Sequence, residues 1–316
     1  MTANEPEETG GGVPPRVLVW ATDKLGECHV EESYRSHSPR TGVWRLRCGE
    51  RSVFLKLHNE KRKWHAGVWA YRQWAAAYGT KVPTLLGVYE GDETQGLLVT
   101  AIDGRPLKEV PVDRTRTLYV YAAAGRLARR VHNSQSNTWF GPTDCRGEPL
   151  HAAYTDAVSY MTADLCRWAE PAKVSRLRCL TPEEGTSLQW AYQNLDVYRG
   201  EVAVPINNDY SPKNWLVNDR GEFTGVIDLE CMQWGLQVDS FAELWLKYFP
   251  DGPDLEDAFF TGYGWDPRRE APLQVRNVKI KMGLANVVWG IESHTPLAVD
   301  RGRRLLRDVL ADEHSV

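Results

Sequence analysis

The chain has 316 residues, 42% of them hydrophobic and 25% charged, and a formal net charge of −4. That is ordinary globular usage for one large or two modest domains, and it excludes wholesale disorder. There is no basic excess of the kind nucleic-acid binding needs, and no run of about 18 apolar residues long enough to cross a membrane. Residues 1–102 carry 13 Lys+Arg against 12 Asp+Glu, and the remainder 25 against 30. The acidic second part could attract a cationic substrate, but the imbalance is too small for strong steering.

Met1 to Pro15 is acidic and rich in Gly and Pro. It lacks the basic start and apolar stretch of a signal peptide and reads as a disordered tail. The runs CHVEESYRS, TGVWRLRCGE and RSVFLKLH, between residues 28 and 58, alternate in the manner of strands, with turn signals at Ser36–Gly42 and Cys48–Arg51. Lys61 to Tyr78 is rich in Trp and Ala and free of Pro, which predicts a helix; Trp64, Trp69 and Trp74 on it read as packing residues. Strands follow around Leu85–Tyr89 and Gly96–Ile102. The opening part is thus a five-stranded antiparallel sheet with one inserted helix.

Beyond residue 113 the pattern turns helical: Thr115–Val131, Thr155–Ala169, Thr181–Tyr198, Asp239–Tyr248, Leu255–Gly262 and Gln274 to the end. Thr181-Pro-Glu-Glu is a helix-start signal. Asn214–Val217 and Thr224–Leu229 are short apolar runs around a turn opening with Asn218-Asp219-Arg220-Gly221, hence a hairpin. The arginines at 129–130 and 301–304 read as solvated helix faces. The layout is α+β and two-lobed: a tail (1–15), a sheet-rich small lobe (16–102) and a mainly helical large lobe (103–316). The six cysteines, Cys28, Cys48, Cys145, Cys166, Cys179 and Cys231, form no CxxC pair and no zinc spacing. They read as reduced thiols of a cytoplasmic protein.

The chemistry concentrates in PINNDYSPKNWLVNDRGEFTGVIDLE, Pro205 to Glu230. Asp209 and Asn214 flank a Pro-containing loop, and Asp228 follows an apolar run. Phosphoryl transfer needs an acceptor for the proton of the attacking hydroxyl and oxygen ligands for Mg²⁺ across the phosphates; this array contains both. The second element is Lys56, inside the apolar strand Val53–Leu57. An ammonium there is costly unless it meets anions.

The Pro205–Glu230 stretch resembles the HxDxxxxN…ID signature of the aminoglycoside phosphotransferase and choline kinase superfamily, relatives of the protein kinases. The resemblance spans about residues 30–260. It implies the protein-kinase-like fold and the small lobe as the nucleotide-binding one. It further implies Asp209 as catalytic base, Asn214 and Asp228 as Mg²⁺ ligands, and Lys56 on the nucleotide phosphates. Asp239 matches a further family Asp that braces the catalytic loop. Ser36, Ser38 and Thr41 would supply phosphate contacts if their loop is more than a hairpin turn, and the backbone near Thr100 and Ile102 would read the adenine. The implied activity is transfer of the γ-phosphate of ATP (or GTP) to a hydroxyl of a small molecule, plausibly an antibiotic of aminoglycoside, nucleoside or peptide type. The chain would act as a monomer or homodimer, with no nucleic-acid or membrane partner. A metabolite kinase (choline, ethanolamine, homoserine or sugar type) and a nucleotide-binding pseudokinase scaffold are the alternatives. A protein kinase fits less well, because only eleven residues separate Asp228 from Asp239.

Two departures stand out. Asn207 occupies the position of the family's His, where an amide can both donate and accept hydrogen bonds. Lys56 also lacks the usual helix Glu as partner: residues 61–89 contain no Asp or Glu. Gln73 is a conceivable substitute. Glu230, Trp265, Trp289, Glu292 and His294 are candidates for substrate contact or support in the large lobe.

Overall fold

A computed structural model of the chain describes residues 12–35, 41–92, 94–169 and 180–311. The first element lies upstream of the expected strands. Helix α1 (Pro15–Leu25) begins with Pro in its first turn and packs Val17 and Ala21 on the outer face of the small-lobe sheet. Pro15 is therefore helical and not part of a tail, while residues 1–11 lie outside the described set.

Strands β1 (Cys28–Arg35), β2 (Thr41–Cys48), β3 (Arg51–His58), β4 (Leu85–Glu90) and β5 (Gln95–Thr100) form one antiparallel sheet in the order β1-β2-β3-β5-β4. On β3, Val53, Leu55 and Leu57 pack into the cluster under α1. The period of two sends Lys56 to the opposite face, toward the large lobe. Cys28 and Cys48 are directly opposed on β1 and β2, with Cα atoms 4.3 Å apart, and their sulfurs are bonded. This corrects the reading of all cysteines as thiols: Cys145, Cys166 and Cys231 are free among the described residues, and Cys179 lies outside them. A separation of 20 residues carries no signal for such a pair; strand register creates it.

The expected helix over Lys61–Tyr78 is continuous but irregular. α2 (Lys61–Trp69) and α3 (Ala75–Tyr78) are joined by a π turn, Ala70–Trp74, in which Ala75 N–H bonds Ala70 O. Trp64, Val68, Trp74 and Tyr78 all stay buried across the irregularity. They join a core that continues through Leu97 and Val99 into Trp215, Trp245 and Phe259 of the large lobe, so α2 and α3 tie the two lobes together.

The chain leaves the small lobe at Gly104, whose φ of +119° and close approach to Val217 O, 2.7 Å from where a Cβ would sit, leave no place for a side chain. β6 (Arg105–Pro106) then pairs with β8 (Trp215–Val217), which pairs with β9 (Phe223–Val226). β7 (Val204–Asn207) pairs with β10 (Met232–Gly235). The hairpin is the expected one, with Asn218 Oδ1 accepting from the N–H groups of Arg220 and Glu222 in its turn. β6, β7 and β10 are too short to show a period and were not expected.

The helices are α4 (Arg114–His132), α5 (Ala157–Ala169), α6 (Pro182–Gln193), α7 (Ala242–Lys247), α8 (Pro253–Tyr263), α9 (Pro267–Glu270), α10 (Pro272–Glu292) and α11 (Pro296–Ala311). Asp113 caps α4, and α6 carries a full capping box between Thr181 and Glu184. Two expectations need correction. The helix from Gln274 to the end is broken at 293–295, where His294 has φ +53° and Pro296 starts a new helix. The helix from Asp239 is a 3₁₀ turn over Gln237–Phe241 before α7 begins. Arg130 is not simply solvated: its guanidinium donates to the carbonyls of Ala77 and Tyr78 and so pins the end of α3 to α4. Arg303 and Arg304 meet Glu184 and Asp251. The two-lobed α+β layout is the one the periodicity predicts.

Candidate active site

The loop after β7 is held by its own amides. Asn207 Oδ1 accepts from the N–H of Asp209 (2.9 Å), and its Nδ2 donates to the carbonyl of Asp228 (3.3 Å). This is the donor-and-acceptor role expected when Asn replaces His. Asn214 Nδ2 donates to the backbone carbonyl of Asp209 (2.9 Å) and to its Oδ2 (3.2 Å), while Asn214 O accepts from Ile227 N–H (2.9 Å). Tyr210, fully buried, anchors the loop to α4 by donating to Ala124 O (2.8 Å). The Asp209 carboxylate and the Asn214 amide are thus in direct contact, and the Asp228 carboxylate is near enough to act on Asp209 through its charge. Asp228 lies past the end of β9, not within a strand, and its φ is +70°. A non-glycine residue held there stores backbone strain, of the kind that collects at functional sites.

Lys56 Nζ bridges two carboxylates: Glu230 Oε1 at 2.6 Å and Asp228 Oδ1 at 3.1 Å. The Glu230 side chain is 3% exposed, that of Asp228 40%. The missing helix acid is thereby accounted for. Where α2 faces the cleft it presents Gly67, and a Cβ at that position would lie 3.1 Å from Glu230 Cγ and 2.8 Å from Leu97 Cδ1. The helix yields the space and the strand-end Glu fills it. Gln73 is exposed and does not contact Lys56. Burial alone would raise the Asp228 pKa, but the charge and hydrogen bond of Lys56 outweigh it and hold the carboxyl below its ordinary value. Burial likewise opposes the charge on Lys56, and Asp228 more than restores it. His58, two residues along the same face of β3, is buried, its ring nitrogens make no hydrogen bond and its Nε2 lies 3.8 Å from Glu230 Oε1; burial and the nearby Lys56 charge push its pKa down to about 4, so the ring is neutral.

Asp209 has a raised pKa because it is buried, opposed by the ammonium of Lys213 at 2.6 Å from Oδ1. Sequence reading overlooked Lys213, although its place four residues after Asp209 was a visible signal. Asp239 pairs with Lys281 (2.7 Å), which also holds Asp164 (2.8 Å). Its observed partner is thus a lysine of α10 and not the catalytic loop, a long-range contact that no local pattern reveals.

Ser36 and Ser38 lie outside the described residues, as does the Thr41 side chain. At the hinge, Thr100 N–H bonds Thr84 O (2.9 Å) and Ala101 N–H reaches Ser52 O (3.4 Å), so those donors are engaged within the small lobe. Ile102 packs over Gly225, with its Cδ1 3.2 Å from where a Cβ there would sit.

A cavity of about 550 Å³ opens beside the loop at Asn208. Its walls come from Trp139, Phe140, Tyr154, Tyr160 and Trp168. Sequence reading placed Trp265, Trp289, Glu292 and His294 here, and none of them lines it. Trp265 packs against the core beside Tyr263, and Trp289 is 49% exposed. Two of the true wall residues, Trp139 and Phe140, sit in irregular chain between α4 and α5, where periodicity has nothing to report.

Several solved structures share this architecture. Aminoglycoside phosphotransferase APH(4)-Ia matches at 17% identity with TM-score 0.67, covering 92% of this chain and 97% of that one. The streptomycin–ATP ternary complex of APH(2")-IIa matches at 13% identity with TM-score 0.63, covering 94% and 97%. A putative fructosamine-3-kinase from Haemophilus somnus matches at 12% identity with TM-score 0.62, covering 93% and 96%. At such identities the likeness is one of fold, the two-lobed kinase-like one. No curated protein matches the chain by sequence. The family model described as phosphotransferase enzyme family (APH) does match, over residues 32–273, which takes in most of the small lobe, the loop of Asp209 and most of the cavity wall: the chain belongs to that family.

Proposed function

We propose that the protein is an ATP-dependent O-phosphotransferase acting on a hydroxyl of a small molecule. The observation that carries this reading is the clustering of Asp209, Asn214, Asp228 and Lys56, linked by the Asn214–Asp209 and Lys56–Asp228 contacts, beside a cavity that opens at Asn208 and is large enough for an acceptor. Asp209 is the general base: it is largely buried, hydrogen-bonded to Asn214 and borders the cavity through Asn208. Lys56 faces the nucleotide phosphates, aimed by Glu230 and Asp228. The oxygen set fits Mg²⁺: a cleft-facing carboxylate on Asp228 and an amide on Asn214 are hard donors of the kind the ion takes alongside phosphates and water. Bound there, the ion would neutralise and orient the triphosphate.

Asp209 accepts the proton of the acceptor hydroxyl as the hydroxyl oxygen bonds to the γ-phosphorus and the bond from that phosphorus to the β,γ-bridging oxygen breaks, releasing ADP, while Asn214 holds the carboxylate in place. Nucleotide use is supported by APH(4)-Ia, a structure of which holds AMP-PNP and hygromycin B, and by APH(2")-IIa with ATP and streptomycin. Those same neighbours support an antibiotic as the acceptor. Replacing Asp209 by Asn should lower kcat by about 10²–10⁴-fold, the range for a lost general base, with ATP affinity changed little. Near-normal turnover under saturating substrates would refute the assignment.

A further inference from the structure

The lining of the cavity speaks to the chemistry of the acceptor, given the phosphotransferase reading above. A pocket for a polyamine needs carboxylates with charge to spare. Among the described residues the cavity wall has two, Asp164 and Asp239, and they share the single ammonium of Lys281, which donates to them at 2.8 and 2.7 Å from a position only 8% exposed. The remaining charges on the walls are positive. Arg62, on the first turn of α2, and Arg167, near the end of α5, both line the cavity. Neither lies within ion-pair distance of an acid among the described residues, though against the effect of burial the charges of both act on Asp164 at longer range and help Lys281 hold its carboxyl below the ordinary value; Arg167 also lies over the Trp168 ring, 5.2 Å from its centroid. The described wall residues thus carry three cations against two carboxylates, a surplus of one positive charge, and the two arginines are its exposed members.

The rest of the wall is aromatic. Phe140 and Tyr160 stack with centroids 5.1 Å apart, and Tyr154 meets Tyr160 edge-on at 6.1 Å. Gln233 Nε2 donates to Tyr160 OH (2.9 Å). Buried flat rings and exposed guanidinium groups in one wall match a ligand that is planar or apolar at one end and acidic at the other.

We infer that the acceptor is a hydroxylated molecule combining a planar or apolar portion with a carboxylate or phosphate, and that it is not a polyamine. The acidic group meets Arg62 and Arg167, the planar part lies along the aromatic wall, and the hydroxyl is turned toward Asn208 and Asp209.

The test uses the full chain with Mg²⁺ and AMP-PNP and one scaffold in three charge states: p-nitrophenyl β-glucuronide, p-nitrophenyl β-glucoside and p-nitrophenyl 2-amino-2-deoxy-β-glucoside. Hygromycin B serves as the polycation, and Kd is read by calorimetry or saturation-transfer NMR at low salt. The glucuronide should bind about tenfold more tightly than the amino sugar, as expected of two half-solvated ion pairs. The double variant Arg62→Glu, Arg167→Glu should abolish or invert that order. Tighter binding of the amino sugar or hygromycin B overturns the inference. So does an unchanged order in the double variant, or the absence of any charge preference, including no binding of any probe. Mg²⁺-dependent AMP-PNP binding is measured in the same samples. Its loss would count against the phosphotransferase reading, while the charge preference, repeated in parallel samples without nucleotide, stands or falls separately.

Discussion

Replacing Glu230 by Gln removes one of two carboxylates from Lys56 while keeping shape and volume. At 2.6 Å the gross attraction of that pair is about 6 kcal/mol with an effective dielectric near 20. Most of it offsets the desolvation of two buried groups, and Lys56 keeps Asp228 at 3.1 Å. A hydrogen bond between charged groups nets about 1.5–3 kcal/mol, so about 2 kcal/mol is a fair figure for the loss. The consequence is specific to the site. With Glu230 neutral, the ammonium leans on Asp228, the same carboxylate proposed for the metal. The KM for ATP should rise about tenfold to thirtyfold, at 1.4 kcal/mol per factor of ten, and the Mg²⁺ concentration for half-maximal activity should rise with it. KM for the acceptor should stay nearly constant. Steady-state kinetics with ATP and Mg²⁺ varied independently, together with a thermal melt, measures all of this. An unchanged ATP KM and Mg²⁺ requirement would refute the idea that Glu230 stands in for a helix acid.

The companion change, Gly67→Ala, puts a methyl 2.8 Å from Leu97 Cδ1 and 3.1 Å from Glu230 Cγ. It should cost about 1–3 kcal/mol by overpacking, lowering Tm, and should weaken ATP binding as Glu230 is displaced; an undisturbed melt and KM would count against the tight fit. Lys213→Met removes the ammonium that opposes the burial-driven rise of the Asp209 pKa. The base works ionised, so the acid limb of the kcat/KM profile should move to higher pH, and a profile that stays put or moves down contradicts the role. His132 is buried against Tyr263 and its pKa is lowered to about 3, first by burial and then by Arg129. A histidine with a depressed folded pKa contributes stability above its unfolded value near 6.5 that is lost as pH falls toward 3. His132→Asn should therefore flatten that part of the pH–stability curve in denaturant melts, whatever its effect at neutral pH.

Much was legible locally. Alternation placed all five small-lobe strands and put Lys56 on the third, because a half-buried strand writes its two faces into a period of two. The spacing of Asp209, Asn214 and Asp228 marked the candidate site because loop and hairpin lie in one continuous stretch. Thr181 and Glu184 marked their helix start through a bond pattern confined to four residues.

What tertiary structure alone decided is of another kind. The partner of Lys56 comes from 174 residues away, in a space left by a glycine on a third element. The charge balance of the cavity beside Asn208 depends on Lys281 reaching Asp164, 117 residues distant, and offsetting part of the acid charge a composition count would credit to the pocket. The bond between Cys28 and Cys48 follows from strand register. Secondary structure answers to neighbours along the chain, so the amino-acid order records it. Which charges cancel depends on contacts across lobes, and those exist only once the chain has packed.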